Sequence, residues 1–196
     1  QNVFNRLVKL GPNDNVLPDL AESWEFSNND KTLTFHLHDG VKWHDGEPFT
    51  SADVKWTYDT LMAEKWAKSD NFTTVESIEC PDDNTVVMNL KDTDVSIITK
   101  LSWYGTFIMP KHIYDTPDYD WSTNPANFQP VGTGPFKFVE HKKGVSITLE
   151  RNDEYWGDTP ILDKIIFSII PDEMTAYQAF LQDEVDYLGT GVPSTN

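Results

Sequence analysis

The 196-residue chain is short of cysteine, arginine and long apolar runs, and each shortage closes off a class of protein. Its one thiol, Cys80, cannot form an internal disulfide, so no disulfide framework holds this fold and cysteine usage says nothing of the redox compartment. Beside Pro81 at the end of a strand pattern, Cys80 reads as a small, partly buried residue rather than a reactive one. Arg6 and Arg151 are the only guanidinium groups, too few for a clustered phosphate cradle. A net charge of −17 argues against nucleic acid, which needs a basic face. Read plainly, that charge is a soluble, self-repelling surface, with adaptation to salt as the sharper alternative. No stretch approaches the ~20 apolar residues of a membrane span. No signal peptide begins the chain, and its abrupt start at Gln1-Asn2-Val3-Phe4 implies a mature, trimmed or excised piece. Repeats and low-complexity tracts are missing, as are a G-x-S-x-G elbow, a P-loop, a dinucleotide fingerprint and H-E-x-x-H.

What is present is enough sequence for one or two domains, with 38% hydrophobic and 13% aromatic residues. Local order is clearest from Leu20 to Val54. Ser27-Asn28-Asn29-Asp30 is a turn of residues that bond their own backbone. Leu33, Phe35 and Leu37 then alternate with Thr32, Thr34, His36 and His38, the period of a half-buried strand. Asp39-Gly40 and Asp45-Gly46 bracket Val41-Lys42-Trp43 as tight turns. Thr50 and Asp53 form a variant capping box for a helix running to about Lys68, with Val54, Tyr58, Leu61 and Met62 on one face.

Beyond it, Val75–Cys80 and Thr85–Leu90 make a hairpin with Val86, Met88 and Leu90 facing inward. Asp94 caps a helix containing Val95, Ile98 and Leu101. Residues 115–130 read as a loop. Two further strands follow, Phe136 to His141 and Val145 to Arg151. Ile165 to Ile170 has the look of a central strand, apolar on both faces but for Ser168. A helix from Pro171-Asp172 carries Met174, Tyr177, Phe180 and Leu181 on one face, and Glu184 to Leu188 reads as a short strand. That order suggests a right-handed crossover in an α/β sheet.

Four motifs carry a resemblance. A-E-S-W-E followed by T-F-H-L-x-D-G-V-K-W-x-D-G-E-P-F-T-x-x-D-V, then Ile108 to Tyr114, Gly132-Thr133-Gly134-Pro135-Phe136, and Arg151-Asn152 to Gly157 resemble the family 5 extracellular solute-binding proteins. His38 departs from the arginine of many members. The family holds the dipeptide-, oligopeptide- and nickel-binding subunits of ABC importers. The resemblance implies an α/β, type II periplasmic-binding-protein-like N-terminal lobe fragment with an inserted mixed α+β subdomain. By it, residues 1–4 lead in from a missing N-terminal part of lobe I and residues 5–128 are the inserted subdomain. Residues 129–196 are then the lobe I core up to the hinge, and the second lobe is absent. It also implies a periplasmic or cell-surface protein, lipid-anchored in some full-length forms, that is monomeric and works with an ABC permease.

The implied function is capture of extracellular di- and oligopeptides without catalysis or cofactor, by closure of two lobes. Nickel–chelate, heme or oligosaccharide on the same scaffold is the alternative. The ligand-facing candidates are Trp103 and Tyr104, the loop Gly132, Thr133 and Gly134, and the segment Leu188, Gly189, Thr190 and Gly191. Tyr187 is a further candidate ring. For Trp103 the plainer reading is a ring filling the subdomain core; Gly189 leaves a roomier pocket where relatives carry a ring. The glycines of residues 132–134 also fit a strand start at which backbone closely approaches another surface.

Two other chemistries deserve weighing. His36 and His38 share a strand face roughly 7 Å apart, and with Asp39 and His44 could ligate zinc or nickel. No third ligand stands at a recognised spacing, and histidines on the solvent side of a strand are the plainer reading. The acidic pairs Asp82-Asp83, Asp92 with Asp94, Asp153-Glu154 and Asp183-Glu184 could serve a secreted carbohydrate-active enzyme. They fall in predicted turns and on exposed faces, which favours simple solvation.

Overall fold

The structure is a computed structural model that describes residues 2–103, 106–116, 120 and 123–189. Strands β1 (Val8–Leu10) and β2 (Val16–Pro18) form a small ribbon. Strands β3 (Ala21–Ser27), β4 (Thr32–Leu37), β5 (Val75–Asp82) and β6 (Thr85–Leu90) form a four-stranded antiparallel sheet in the order β3-β4-β6-β5. The turn between β3 and β4 places Asn28, Asn29 and Asp30 in the left-handed region, which these side chains tolerate better than most.

The alternation in β4 sends Leu33, Phe35 and Leu37 to one buried face. Cross-strand register sets Leu33 beside Met88 and Phe35 beside Val86. Helix α1 (Ser51–Ala63) covers that face with Val54, Tyr58 and Leu61. At its start the Thr50 N–H donates to Asp53 Oδ2 at 2.9 Å, the expected carboxylate half of a capping box. Asp53 also accepts the Lys111 N–H at 3.0 Å, which fixes helix α3 (Lys111–Tyr114) against α1. The Cys80 thiol donates to the Ser51 carbonyl and is pushed up in pKa by burial, as suits an unreactive thiol.

A second, three-stranded antiparallel sheet follows: β7 (Phe136–Lys142), β8 (Ser146–Arg151) and β9 (Lys164–Ser168), in that order. Helix α4 (Glu173–Leu181) comes after it, capped by Asp172, whose carboxylate accepts the Thr175 N–H.

Several expectations fail. Helix α1 ends at Ala63, because Lys65 and Lys68 turn left-handed and the Trp66 N–H reaches back to the Leu61 carbonyl. Helix α2 spans only Ile97–Leu101 and buries Ile97 and Leu101, whereas Val95 is exposed; Asp94 sits just ahead of it, bonding Ser96. The Ile165–Ile170 segment is no central strand. Among the described residues β9 pairs only with β8, and Ile166, Phe167 and Ile169 are exposed. Residues 184–188 form no strand, so no parallel crossover is closed within the described chain. The apolar face of α4 likewise stands exposed at Met174, Phe180 and Leu181.

The main core tests the packing argument. Phe35 is fully buried, so Phe35→Ala is expected to cost about 3–5 kcal/mol in chemical denaturation. The Tyr58 hydroxyl is buried with no hydrogen-bond partner among the described residues, so Tyr58→Phe should hold or raise the stability read from the denaturation midpoint, by about 1 kcal/mol at most.

Candidate functional site

The loop Gly132-Thr133-Gly134 is where the sequence motifs meet. Gly134 N–H donates to the Val3 carbonyl at 2.8 Å and Phe136 N–H to the Asn2 carbonyl at 2.9 Å, so residues 2–3 lie against the loop as an added extended segment. A Cβ on Gly132 would stand 1.8 Å from the Val3 carbonyl oxygen, and one on Gly134 2.5 Å from that of Asn2. Two backbones touch here, and only glycine allows it.

Side chains close the remaining positions. Trp156 Nε1 donates to the Thr133 carbonyl at 3.0 Å, and the Asn152 amide to that of Gly134 at 3.3 Å. His44 grips the loop three times. Its N–H donates to the Gly132 carbonyl at 2.9 Å, its Nδ1 accepts the Gly132 N–H at 3.2 Å, and its Nε2 faces the Gly134 carbonyl at 2.9 Å. A carbonyl only accepts, so the proton is on Nε2 and Nδ1 is bare; the ring is neutral and its tautomer is set by its partners. Burial is the main cause that holds the His44 pKa below its ordinary value, with Lys137 adding to it, while the Gly134 carbonyl and Asp45 pull the other way.

Beneath the loop lies a buried polar hub. Thr133 Oγ1 donates to Asn5 Oδ1 at 3.0 Å, the Asn5 amide donates to Asp19 Oδ1 at 2.8 Å, and the Arg6 N–H donates to Asp19 Oδ2 at 2.9 Å. Burial pushes the Asp19 carboxyl above its usual range. The Arg6 guanidinium donates to the Ser102 carbonyl at 2.5 Å and lies 4.9 Å from the Phe107 ring centre. Thr106, fully buried, donates to the Leu101 and Trp103 carbonyls. The hub therefore holds two stretches at once, the buried glycine loop and the turn that carries the exposed Trp103.

Trp103 is 51% exposed, so it does not fill the subdomain core as the plainer reading has it. Tyr187 is exposed, Leu188 is half-buried and Gly189 is open, with nothing within 4 Å of a Cβ built there. Tyr104, Thr190 and Gly191 lie outside the described residues. His36 pairs with Glu25 at 3.7 Å, and His38 with Glu22 at 3.9 Å while its ring meets Trp156 at 4.8 Å. Among the described residues no three His, Cys, Asp or Glu gather as a metal site, and His44 is taken up by the loop. Members of three of the acidic pairs have local partners: Asp153 binds Arg151, Asp92 binds Lys31, Asp94 binds Lys100 and Asp82 accepts the Asn84 N–H.

One concavity of about 700 Å³ lies between the end of α1 and residues 68–75, rimmed by Lys65, Lys68 and Lys91. Another, about 500 Å³, is an apolar groove beside the loop, walled by Val3, Phe128, Phe138 and Phe167. Neither contains Trp103 or Leu188.

Residues 15–196 match the profile of the bacterial extracellular solute-binding proteins, family 5 middle. The chain belongs to that family. Among curated relatives, the dipeptide-binding protein of Escherichia coli is 32% identical over 93% of this chain and 38% of its own length. Among solved structures, the oligopeptide-binding protein AppA of Bacillus subtilis, in complex with a nonapeptide, superposes with a TM-score of 0.85 at 31% identity. That match covers 93% of this chain and 37% of AppA. NikZ of Campylobacter jejuni, in complex with Ni(L-His), superposes at 0.86 with 29% identity, over 94% of this chain and 37% of its own. The α/β architecture is thus that of the type II periplasmic binding proteins, and this chain spans little more than a third of these family members. Among the described residues no helix is long and apolar enough to cross a membrane.

Sequence reasoning missed Asn5, Arg6 and Asp19. The available signal was an arginine set within the apolar run Phe4–Leu10 of a chain that has only one other. If the glycine loop is a backbone-on-backbone junction, Gly132→Ala should lower stability by about 3 kcal/mol, since main chain must move to admit the methyl. Gly189→Ala should change it by less than about 0.5 kcal/mol. Both are read from denaturant midpoints.

Proposed function

We propose that this chain is part of the solute-binding component of an ABC importer that captures extracellular di- or oligopeptides. The observation that carries the reading is the superposition of 93% of this chain on 37% of AppA, a protein solved around a nonapeptide. The relatives are named as binding proteins, and the engagement of Asp82, Asp92, Asp94 and Asp153 by neighbouring groups favours a non-enzymatic role here. In this reading the protein is extracytoplasmic, periplasmic or at the cell surface, and delivers solute to a membrane permease as a monomer.

In this reading residues 5–128 form a subdomain inserted in lobe I and residues 129–196 the lobe's core up to the hinge. Closure of a second lobe, outside these residues, completes the pocket. Trp103 and Tyr104 offer rings whose rigidity gives contact area at small entropic cost. Leu188, Gly189, Thr190 and Gly191 supply main chain along an extended peptide, as in strand addition. Gly132, Thr133 and Gly134 act from below: their hydrogen bonds are turned inward, so they hold the binding face and leave contact to others. The nickel reading has a specific support in NikZ, whose bound species is Ni(L-His).

The deciding experiment is native mass spectrometry of the full-length protein purified without refolding, followed by calorimetry with trialanine and with Ni(L-His). Co-purifying peptide and saturable trialanine binding are expected. Saturation by Ni(L-His) alone would replace the peptide reading with the metal–chelate one. The 196-residue chain by itself should bind trialanine at least tenfold more weakly than the whole protein, because part of the contacts is missing.

A further inference from the structure

We propose that His44 is a protonation-sensitive pin: a positioning residue that holds the Gly132–Gly134 loop only while its imidazole is neutral, making solute retention acid-labile. The link to solute rests on the binding function proposed above; the pin itself does not.

The argument is one of donors and acceptors. The Gly132 N–H needs an acceptor, and bare Nδ1 supplies it at 3.2 Å; the Gly134 carbonyl needs a donor, and Nε2–H supplies it at 2.9 Å. Adding a proton leaves the second bond intact but puts N–H against N–H at the first. The ring must then turn or withdraw, and a buried amide loses its partner. The loop cannot compensate by sliding, since Gly132 and Gly134 already lie against the backbone of residues 2–3. What His44 joins is large in scale: it sits in the Asp39–Thr50 connection ahead of α1, whereas the loop opens β7 and, through Thr133 and Asn5, reaches the hub under Trp103.

The charges around the ring are Lys137 on β7, which opposes its protonation, and Asp45 beside it, which favours it. Asp45 is engaged by His112 of α3 at 2.9 Å. With burial, the balance keeps His44 neutral at neutral pH. Its folded pKa lies below the unfolded value of about 6.5, so the unfolded chain takes the proton first. The contribution of His44 is therefore complete above about pH 6.5 and falls away as the pH drops toward the folded value.

The variant that separates charge from packing is His44→Gln, whose planar amide offers an acceptor oxygen and a donor NH2 group and does not titrate. Hydrogen exchange at the Gly132 amide, corrected for intrinsic rates, is measured at pH 7.5 and 5.0 in the natural chain and in His44→Gln. The expected result is about a tenfold loss of protection at the lower pH in the natural chain and none beyond twofold in the variant, with 15N imidazole shifts reporting the Nε2–H tautomer at pH 7.5. Unchanged Gly132 protection in the natural chain, or an equal loss in His44→Gln, overturns the pin. His44→Ala is read in parallel, and if it fails to fold the Gln comparison still decides. In the full-length protein, trialanine affinity should weaken severalfold between the same pH values for the natural sequence and stay level for His44→Gln. A pin that behaves as described with pH-independent affinity overturns its coupling to solute. Absence of trialanine binding at every pH instead overturns the peptide reading and leaves the exchange result to judge the pin.

Discussion

The fold depends on a buried polar hub, Asn5-Arg6 with Asp19, more than on any single apolar contact. A hydrophobic sheet-and-helix core is forgiving of small shifts, since its attraction has no direction. The hub is not. Asp19 is buried and kept tolerable by two donors, and removing either would leave a carboxylate short of partners in a place water does not reach. Because Asn5 and Arg6 look in different directions, toward Thr133 and toward Ser102, the hub fixes two otherwise unrelated stretches in one frame. Pre-organisation of this kind favours binding, because a face already in shape gives up less freedom when a guest arrives.

The motifs that mark the family divide the work in the same way. His44, Asn152 and Trp156 come from stretches that carry the resemblance, and each bonds the glycine loop: His44 at Gly132 and Gly134, Asn152 at Gly134 and Trp156 at Thr133. Lys111 and His112 of a further motif attach to Asp53 and Asp45. These are joints of the scaffold. A joint of this kind selects no ligand, and structures similar to this chain hold a nonapeptide in one case and a nickel–histidine chelate in another. The same fact explains why the sequence speaks loudly of family and softly of solute.

Local order was legible in the residues themselves. The strand period of Leu33, Phe35 and Leu37, the Asn28–Asp30 turn and the Thr50/Asp53 start of α1 all stand where their side chains put them, since each is decided within a few positions. The failures came where a decision is made far along the chain. The run Ile165–Ile170 has the composition of a strand covered on both sides, but composition does not say whether neighbours arrive, and among the described residues β9 has one. Helix α1 stopped early because Trp66 is used by the core nearby, which overrides a weak helical preference. The hub was invisible for the same reason: Arg6 and Ser102 lie 96 positions apart, and Thr133 lies 128 from Asn5.

The contact of residues 2–3 with the glycine loop also has a consequence for folding. Gly134 and Phe136 reach Val3 and Asn2 across about 130 positions of chain. Closing so long a loop costs more chain entropy than any pairing inside the four-stranded sheet, though the cost grows only with the logarithm of length. The sheet can therefore close without this junction, and the glycines let the far-separated backbones meet once it has.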